Sequence, residues 1–349
     1  MQEKEYQDFS LQLHDKGARR PIVGQFELTH RCNLRCQHCY IVRNTKKSEL
    51  TYKEICRIIN EVREEGCLWL CLTGGEPLLR EDFLDIYSYA YKKGFIITIF
   101  TNAVLLNEKI AKYLSRFSPF CIEVTLNGVT KKTYELITQV EGSFEKAMQS
   151  IELIRKYKIP FKLKCQAMTL NVNELPLMRR FYKKMDLGFR CSTLIDPRID
   201  GSTEPCSLRL PIDKIAELRN QKEAANERDE VEDNFLENRV SSDNLFRCPG
   251  GTWAFQVSPY GELLFCNLVR KPSLDLRKHS FKQGFYELFP KIRSQKFKTN
   301  SPCRKCPLRG VCLWCPGKAY LETGNMEAPI KYYCELAKLS RLASAKYLN

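Results

Sequence analysis

Six short apolar runs, separated by stretches of helical period, constrain the folding of this chain more than any other feature. They are Ile22 to Leu28, Leu68 to Leu72, Phe95 to Phe100, Cys121 to Leu126, Phe161 to Leu170 and Phe189 to Ile195. Each has the length and apolarity of a buried strand. Between them lie amphipathic patterns. In TYKEICRIINEVREE, Ile55, Ile58, Ile59 and Val62 recur at i, i+3, i+4 and i+7. SFEKAMQSIELIRKY repeats this with Phe144, Ala147, Met148, Ile151 and Ile154, and Ser143 is placed to cap it. Such alternation builds βα units with a parallel sheet, so the expected class is α/β.

The first run leads straight into THRCNLRCQHCY, where Cys32, Cys36 and Cys39 can converge from one loop onto one metal cluster. A four-iron cubane takes four ligands, so three cysteines leave one iron open to something other than protein. Zinc is the alternative, with His38 inside the loop and His30 just before it as extra donors. The second run breaks into Gly74, Gly75, Glu76 and Pro77. Glycines there allow close approach of a ligand to backbone, and Pro77 fixes the exit direction.

Cys-x3-Cys-x2-Cys directly after an apolar strand, followed by GGEP, resembles the radical S-adenosylmethionine (radical SAM) family. The resemblance implies a partial (β/α)6 TIM-like barrel whose open side admits a bulky substrate. It also implies a [4Fe-4S] cluster whose open iron chelates the amino and carboxylate groups of S-adenosylmethionine, and a 5'-deoxyadenosyl radical that abstracts hydrogen from a substrate. Gly74, Gly75 and Glu76 then contact the methionyl amino group. Reactive groups of barrels gather at the carboxyl ends of strands. Thr101 and Asn102 after the third strand and Thr125 at the end of the fourth are therefore candidate S-adenosylmethionine contacts, with helix capping as the alternative role. Asn127 stands where many relatives place Asp. Tyr40 is a candidate to pack on the adenine, with ordinary core packing as its alternative.

Beyond the sixth run, the loop DPRIDGSTEP would lie over the mouth of the barrel. Asp196, Arg198 and Asp200 there are candidates to orient substrate, or carboxylates and a cation that merely cap neighbouring backbone. A charged helical connector follows, and then a second cysteine set: Cys248, a hairpin from Trp253 to Val257 and Glu262 to Phe265, Cys266, the group Cys303-x2-Cys306-x5-Cys312-x2-Cys315, and Cys334. With prolyl turns and little apparent apolar core, this part is expected to depend on metal. It resembles the SPASM extension of radical SAM enzymes that mostly modify peptides, Gly261-x4-Cys266 included, although Cys312-x2-Cys315 is one residue shorter than usual. The resemblance assigns Cys248, Cys266 and Cys315 to one auxiliary cluster and Cys303, Cys306, Cys312 and Cys334 to another. That makes three [4Fe-4S] clusters in all. The three-cysteine set lacks a fourth ligand; Asp243, a scattered cysteine, substrate or an empty corner are the options. Two zinc ions are the alternative, but seven cysteines without a nearby His do not divide into two closed four-ligand sites.

The expected organisation is an N-terminal segment (1–20), a radical SAM partial barrel (21–210), a helical connector (211–247) and a small C-terminal iron-sulfur (SPASM) domain (248–349). Seventeen cysteines would suggest disulfides in an exported protein. The N-terminus lacks a secretory pattern and no apolar stretch is long enough to span a bilayer, so a cytoplasmic, reducing setting is expected. Most of the scattered cysteines, Cys56, Cys67, Cys71, Cys121, Cys165, Cys191 and Cys206, are then small buried hydrophobes. The net charge of +15 falls by roughly four units if ten thiolates balance three cluster cores. The residual basicity suits acidic partners, but no nucleic-acid module is present. His14 and His279 lie outside every motif.

The function these expectations favour is maturation of a ribosomally made precursor peptide, forming a thioether or a carbon-carbon crosslink. The partners would be that peptide and an electron donor such as flavodoxin or ferredoxin. Only 31 residues precede Cys32, so leader recognition would fall to a separate peptide-recognition protein or to the basic surface. Three rivals stand beside it: formylglycine formation as in anaerobic sulfatase maturation, a small-molecule enzyme such as a heme-precursor modifier, and a non-catalytic metal-stabilised binding module.

Overall fold

A computed structural model describes residues 19–42, 47–224 and 243–346. The expected segment 1–20 and the later part of the connector fall largely outside the described residues, as does His14. All six expected strands are present, each close to its apolar run: β1 (Val23–Glu27), β2 (Trp69–Thr73), β3 (Ile96–Thr101), β4 (Cys121–Thr125), β5 (Phe161–Gln166) and β6 (Arg190–Ser192). They pair in parallel in chain order. The last two are shorter than their apolar runs. Beyond Gln166 the backbone turns away under the Asn171 side chain, which accepts from the Met168 N–H at 2.8 Å and donates to the Gln166 carbonyl at 2.9 Å.

The connecting helices are α1 (Tyr52–Glu64), α2 (Phe83–Lys92), α3 (Glu108–Arg116), α4 (Lys131–Thr138), α5 (Ser143–Lys156) and α6 (Leu175–Lys184). α1 starts from a capping box in which the Thr51 hydroxyl accepts from the Glu54 N–H and the Glu54 carboxylate accepts from the Thr51 N–H. Its Ile55, Ile58, Ile59 and Val62 face the core, as their spacing requires. α5 corrects one expectation: Ser143 is its first residue, not its cap. Gly142 occupies the cap, and the Ser143 hydroxyl donates to the Val140 carbonyl instead.

After α7 (Ile212–Ala224) the chain returns as a hairpin, β7 (Ala254–Val257) and β8 (Glu262–Leu264), followed by β9 (Leu274–Asp275). β7 lies parallel to β1, so one nine-stranded sheet runs β6-β5-β4-β3-β2-β1-β7-β8-β9. Gly24 permits this junction, since a Cβ there would stand 2.5 Å from the Phe255 ring. The C-terminal part does not lack an apolar core, contrary to expectation. Phe246, Phe255, Phe265, Phe281, Phe285 and Phe289 are buried in a core continuous with that of the barrel. Three consecutive helical turns, Phe281–Gln283, the π turn Gly284–Leu288 and Phe289–Arg293, carry the last three of these. The chain ends in α8 (Pro316–Thr323) and α9 (Lys331–Lys346).

Burial of the scattered cysteines is mostly as expected: Cys56, Cys67, Cys71, Cys121 and Cys165 are buried. Two depart from simple packing. Cys165 of β5 and Cys191 of β6, opposite each other in register, are joined as a disulfide. No helix among the described residues is long and apolar enough to cross a membrane.

Candidate functional site

Cys32, Cys36 and Cys39 lie half-buried on the loop that leaves β1. The loop is held from below: Leu34 is buried, and the Arg35 and Gln37 N–H groups donate to the Thr138 and Ile137 carbonyls at the end of α4. The Leu34 N–H points at Cys32 Sγ, 3.4 Å away. All three cysteines stand outside any disulfide on one short loop, a donor set that fits an iron-sulfur cluster held by three cysteines. Among the described residues, no three Cys, His, Asp or Glu side chains converge at the spacing of a single ion. Neither histidine joins the cysteines as a donor. His30 Nε2 lies 3.0 Å from Glu27 Oε2, and His38 Nε2 lies 3.3 Å from Asn127 Nδ2. Burial pushes the His38 imidazole down to about 4.

The GGEP turn packs against the same loop. A Cβ at Gly74 would sit 2.2 Å from the Thr29 carbonyl oxygen and one at Gly75 2.4 Å from that of Arg31, and Gly74 adopts φ +146. Only glycine allows these two backbones to touch. The Gly75 and Glu76 N–H groups donate to the Thr29 and Arg31 carbonyls. Glu76 is fully buried. It accepts from the Thr101 hydroxyl at 2.7 Å, the Asn102 N–H at 2.8 Å and the Leu78 N–H at 3.1 Å. Burial pushes its carboxyl up to about 7 despite those three donors. Asn102 closes the circuit by donating to Asn33 Oδ1 at 2.9 Å and reaching Cys32 Sγ at 3.7 Å. Asn102 therefore meets both the cysteine loop and the GGEP turn, and Thr101 meets the turn. Thr125 ends β4 opposite Lys164 and makes no hydrogen bond to either. Tyr40 is half-buried, near Asn267, Glu27 and Arg270.

The C-terminal cysteines fall into two neighbourhoods. Burial pushes the Cys266 thiol up to about 12, with Cys315 and Cys248 adding to the effect. Cys303 is pushed up to about 11 by burial, with Cys334, Cys312 and Cys306 as its thiol neighbours. Cys315 caps α8, its Sγ accepting from the Lys318 N–H at 3.4 Å. Asp243 is not with the three-cysteine group. Its carboxylate is gripped by Arg304 at 2.8 and 2.9 Å, beside Cys303. Asp196 does lie near Cys315. Its Oδ1 meets Lys318 Nζ at 3.3 Å and accepts from the Tyr333 hydroxyl at 3.2 Å. Arg198 pairs with Glu204 at 3.1 Å, and the Asp200 carboxylate accepts from the Ser202 N–H at 3.0 Å. Those two make local turn contacts.

Two polar features escaped the sequence reading. Glu27, the last residue of β1, is held by Arg270 and His30. Inside the barrel, Lys164 pairs with Glu123 at 3.3 Å and lies over the Phe100 ring. In both places a charge at an alternate position of an otherwise apolar run was the available signal.

A parallel partial barrel with a three-thiol loop at the carboxyl end of its first strand defines a cluster-binding α/β enzyme class. Residues 26–174 match the Radical SAM superfamily. Along nearly its whole length the chain is similar to the AdoMet-dependent heme synthase of Methanosarcina barkeri, 26% identical over 87% of this chain and 94% of that one. It is also similar to the PqqA peptide cyclase of Granulibacter bethesdensis, 26% identical over 86% of this chain and 84% of that one. In fold it resembles the solved structure of native anSMEcpe with bound AdoMet, with TM-score 0.71, 19% identity, and 94% and 98% of the two chains covered. Residues 26–174 thus carry a radical SAM domain, and the chain is a radical SAM enzyme. That domain implies S-adenosylmethionine and a [4Fe-4S] cluster.

Proposed function

We propose that this is a SPASM-type radical SAM maturase that oxidatively modifies a precursor peptide, forming a thioether or carbon-carbon crosslink. The observation that supports the reading is that ten motif cysteines stand outside any disulfide, three on the loop after β1, with Cys315 and Cys248 near Cys266 and with Cys334, Cys312 and Cys306 near Cys303. When bound, the cofactors supply a carbon-centred radical that removes hydrogen from the substrate and a nearby acceptor for the electron left behind. Cys32, Cys36 and Cys39 hold the first cluster. Cys248, Cys266 and Cys315 hold the nearer auxiliary cluster, and Cys303, Cys306, Cys312 and Cys334 the farther one.

The residues around the first loop shape a site for S-adenosylmethionine. Gly74 and Gly75 bring backbone close to it, and Glu76 locks that backbone to Thr101 and Asn102. Thr125 lines the fourth strand end, and Tyr40, near Asn267, offers its ring. Asp196, on the loop over the barrel mouth and beside Cys315, is the substrate-facing carboxylate of choice. Arg198 and Asp200 shape that loop. A soluble one-electron donor and a cytoplasmic setting complete the reading, with a separate peptide-recognition protein where the basic surface does not suffice. The peptide cyclase likeness supports a peptide substrate. The heme synthase likeness, which spans almost all of that enzyme, favours a second reading in which a tetrapyrrole is the substrate.

Anaerobically reconstituted protein should hold about twelve irons per chain. With dithionite and S-adenosylmethionine it should release 5'-deoxyadenosine, and the peptide encoded beside its gene should lose the mass of two hydrogens. Conversion of an iron-coproporphyrin with no change in any peptide would decide for the second reading. About four irons per chain would remove the auxiliary clusters.

A further inference from the structure

The two cysteine regions are joined at one buried point. Glu27 closes β1, and its side chain is wholly buried. Arg270, four residues after Cys266, donates to both of its oxygens, at 2.8 and 2.9 Å. His30, two residues before Cys32, meets the same carboxylate at 3.0 Å. Tyr40, the residue after Cys39, is half-buried and lies near Glu27, Arg270 and Asn267, the residue after Cys266. The N-terminal end of the three-cysteine loop is thus tied through Glu27 to the segment that follows Cys266, and its other end lies beside the same pair.

We infer that Glu27, Arg270, His30 and Tyr40 form a positioning clamp that sets the three-cysteine loop against the Cys266 segment, so that the two thiol groups keep a fixed relation. A two-oxygen, two-nitrogen fork fixes direction as well as distance, which a lysine would not do. The buried carboxylate has two partners from different parts of the chain, His30 on the three-cysteine loop and Arg270 beyond the C-terminal hairpin. Tyr40, on the far side of the loop, lies alongside them. None of these residues donates a thiol, so each acts through the cysteines beside it. The inference rests on the radical SAM reading only for what the loop holds.

The test uses reconstituted full-length protein and its Glu27→Gln, Arg270→Lys and Tyr40→Phe variants. Native-state iodoacetamide labelling of each cysteine is followed by peptide mass spectrometry, beside the change that S-adenosylmethionine causes in the reduced protein's EPR signal. In Glu27→Gln, labelling of Cys36, Cys39 and Cys266 should rise about fivefold or more while Cys303 and Cys306 stay at the wild-type rate, as expected for local opening. The EPR response should weaken in parallel. Arg270→Lys and Tyr40→Phe should show the same pattern to a smaller extent, which keeps the test decisive if Glu27→Gln does not fold. Unchanged labelling, or an equal rise at every cysteine, would overturn the clamp and leave a plain stabilising ion pair. Failure of the wild type to form 5'-deoxyadenosine would instead sink the radical reading and leave the labelling contrast standing.

Discussion

Glu76 is the residue where local chemistry is most constrained. Its carboxyl is shifted from the ordinary 4.5 up to about 7 because burial disfavours the charged form. A raised carboxyl favours the folded state while protonated. Its contribution is therefore complete below about pH 4.5 and is lost as pH rises toward 7, by about 3 kcal/mol at most. Protein freed of cofactors should lose urea stability over that window, and Glu76→Gln should flatten the loss. A profile of the variant superimposed on that of the wild type would contradict the assignment. Two residues earlier, Gly74→Ala should cost about 3 kcal/mol or more and abolish S-adenosylmethionine binding by calorimetry, because its φ and its contact with Thr29 both exclude a Cβ. Gly188→Ala, which meets nothing within 4 Å, is the control and should be neutral to within about 0.5 kcal/mol.

At the scale of elements, strands and helices were legible because apolar runs and a 3.6-residue period are local signals. α1 kept its four apolar positions, and its Thr51–Glu54 box was there in the sequence as well. Cysteine spacing drew attention to the loop after β1, whereas the interleaved grouping of the C-terminal cysteines came from the resemblance, not from spacing. What stayed hidden depended on partners far apart in sequence. Ser143 lost its capping role to Gly142 for reasons of backbone geometry that a residue-type rule does not contain. The Cys165–Cys191 pair needed the β5–β6 register to be known. It should survive alkylation without reductant, leaving those two cysteines unlabelled while Cys206 reacts. Cys165→Ser should lower unfolding stability by about 3 kcal/mol, the chain-entropy value for residues 26 apart. If both cysteines alkylate freely, the pair is reduced in solution.

On the scale of the molecule, the C-terminal part is not an appendage. β7 completes the hydrogen bonding of β1, and Phe255 packs over Gly24. Gly24→Val should therefore destabilise the whole chain by about 2 kcal/mol or more through overpacking against a ring 2.5 Å away. Denaturation should show one transition in the near-ultraviolet for wild type and variant alike. A fragment ending at residue 247 should lack cooperative unfolding, since it exposes the edge of β1 and half of a shared core. Two separate transitions in the intact chain would argue that the barrel stands alone.

The same pairing bears on how anything large reaches the interior. A strand has two edges, and those of β1 are taken by β2 and β7. Among the described residues β6 therefore forms one edge of the sheet and β9 the other. The connectivity of the chain alone thus keeps its strands from closing into a full ring.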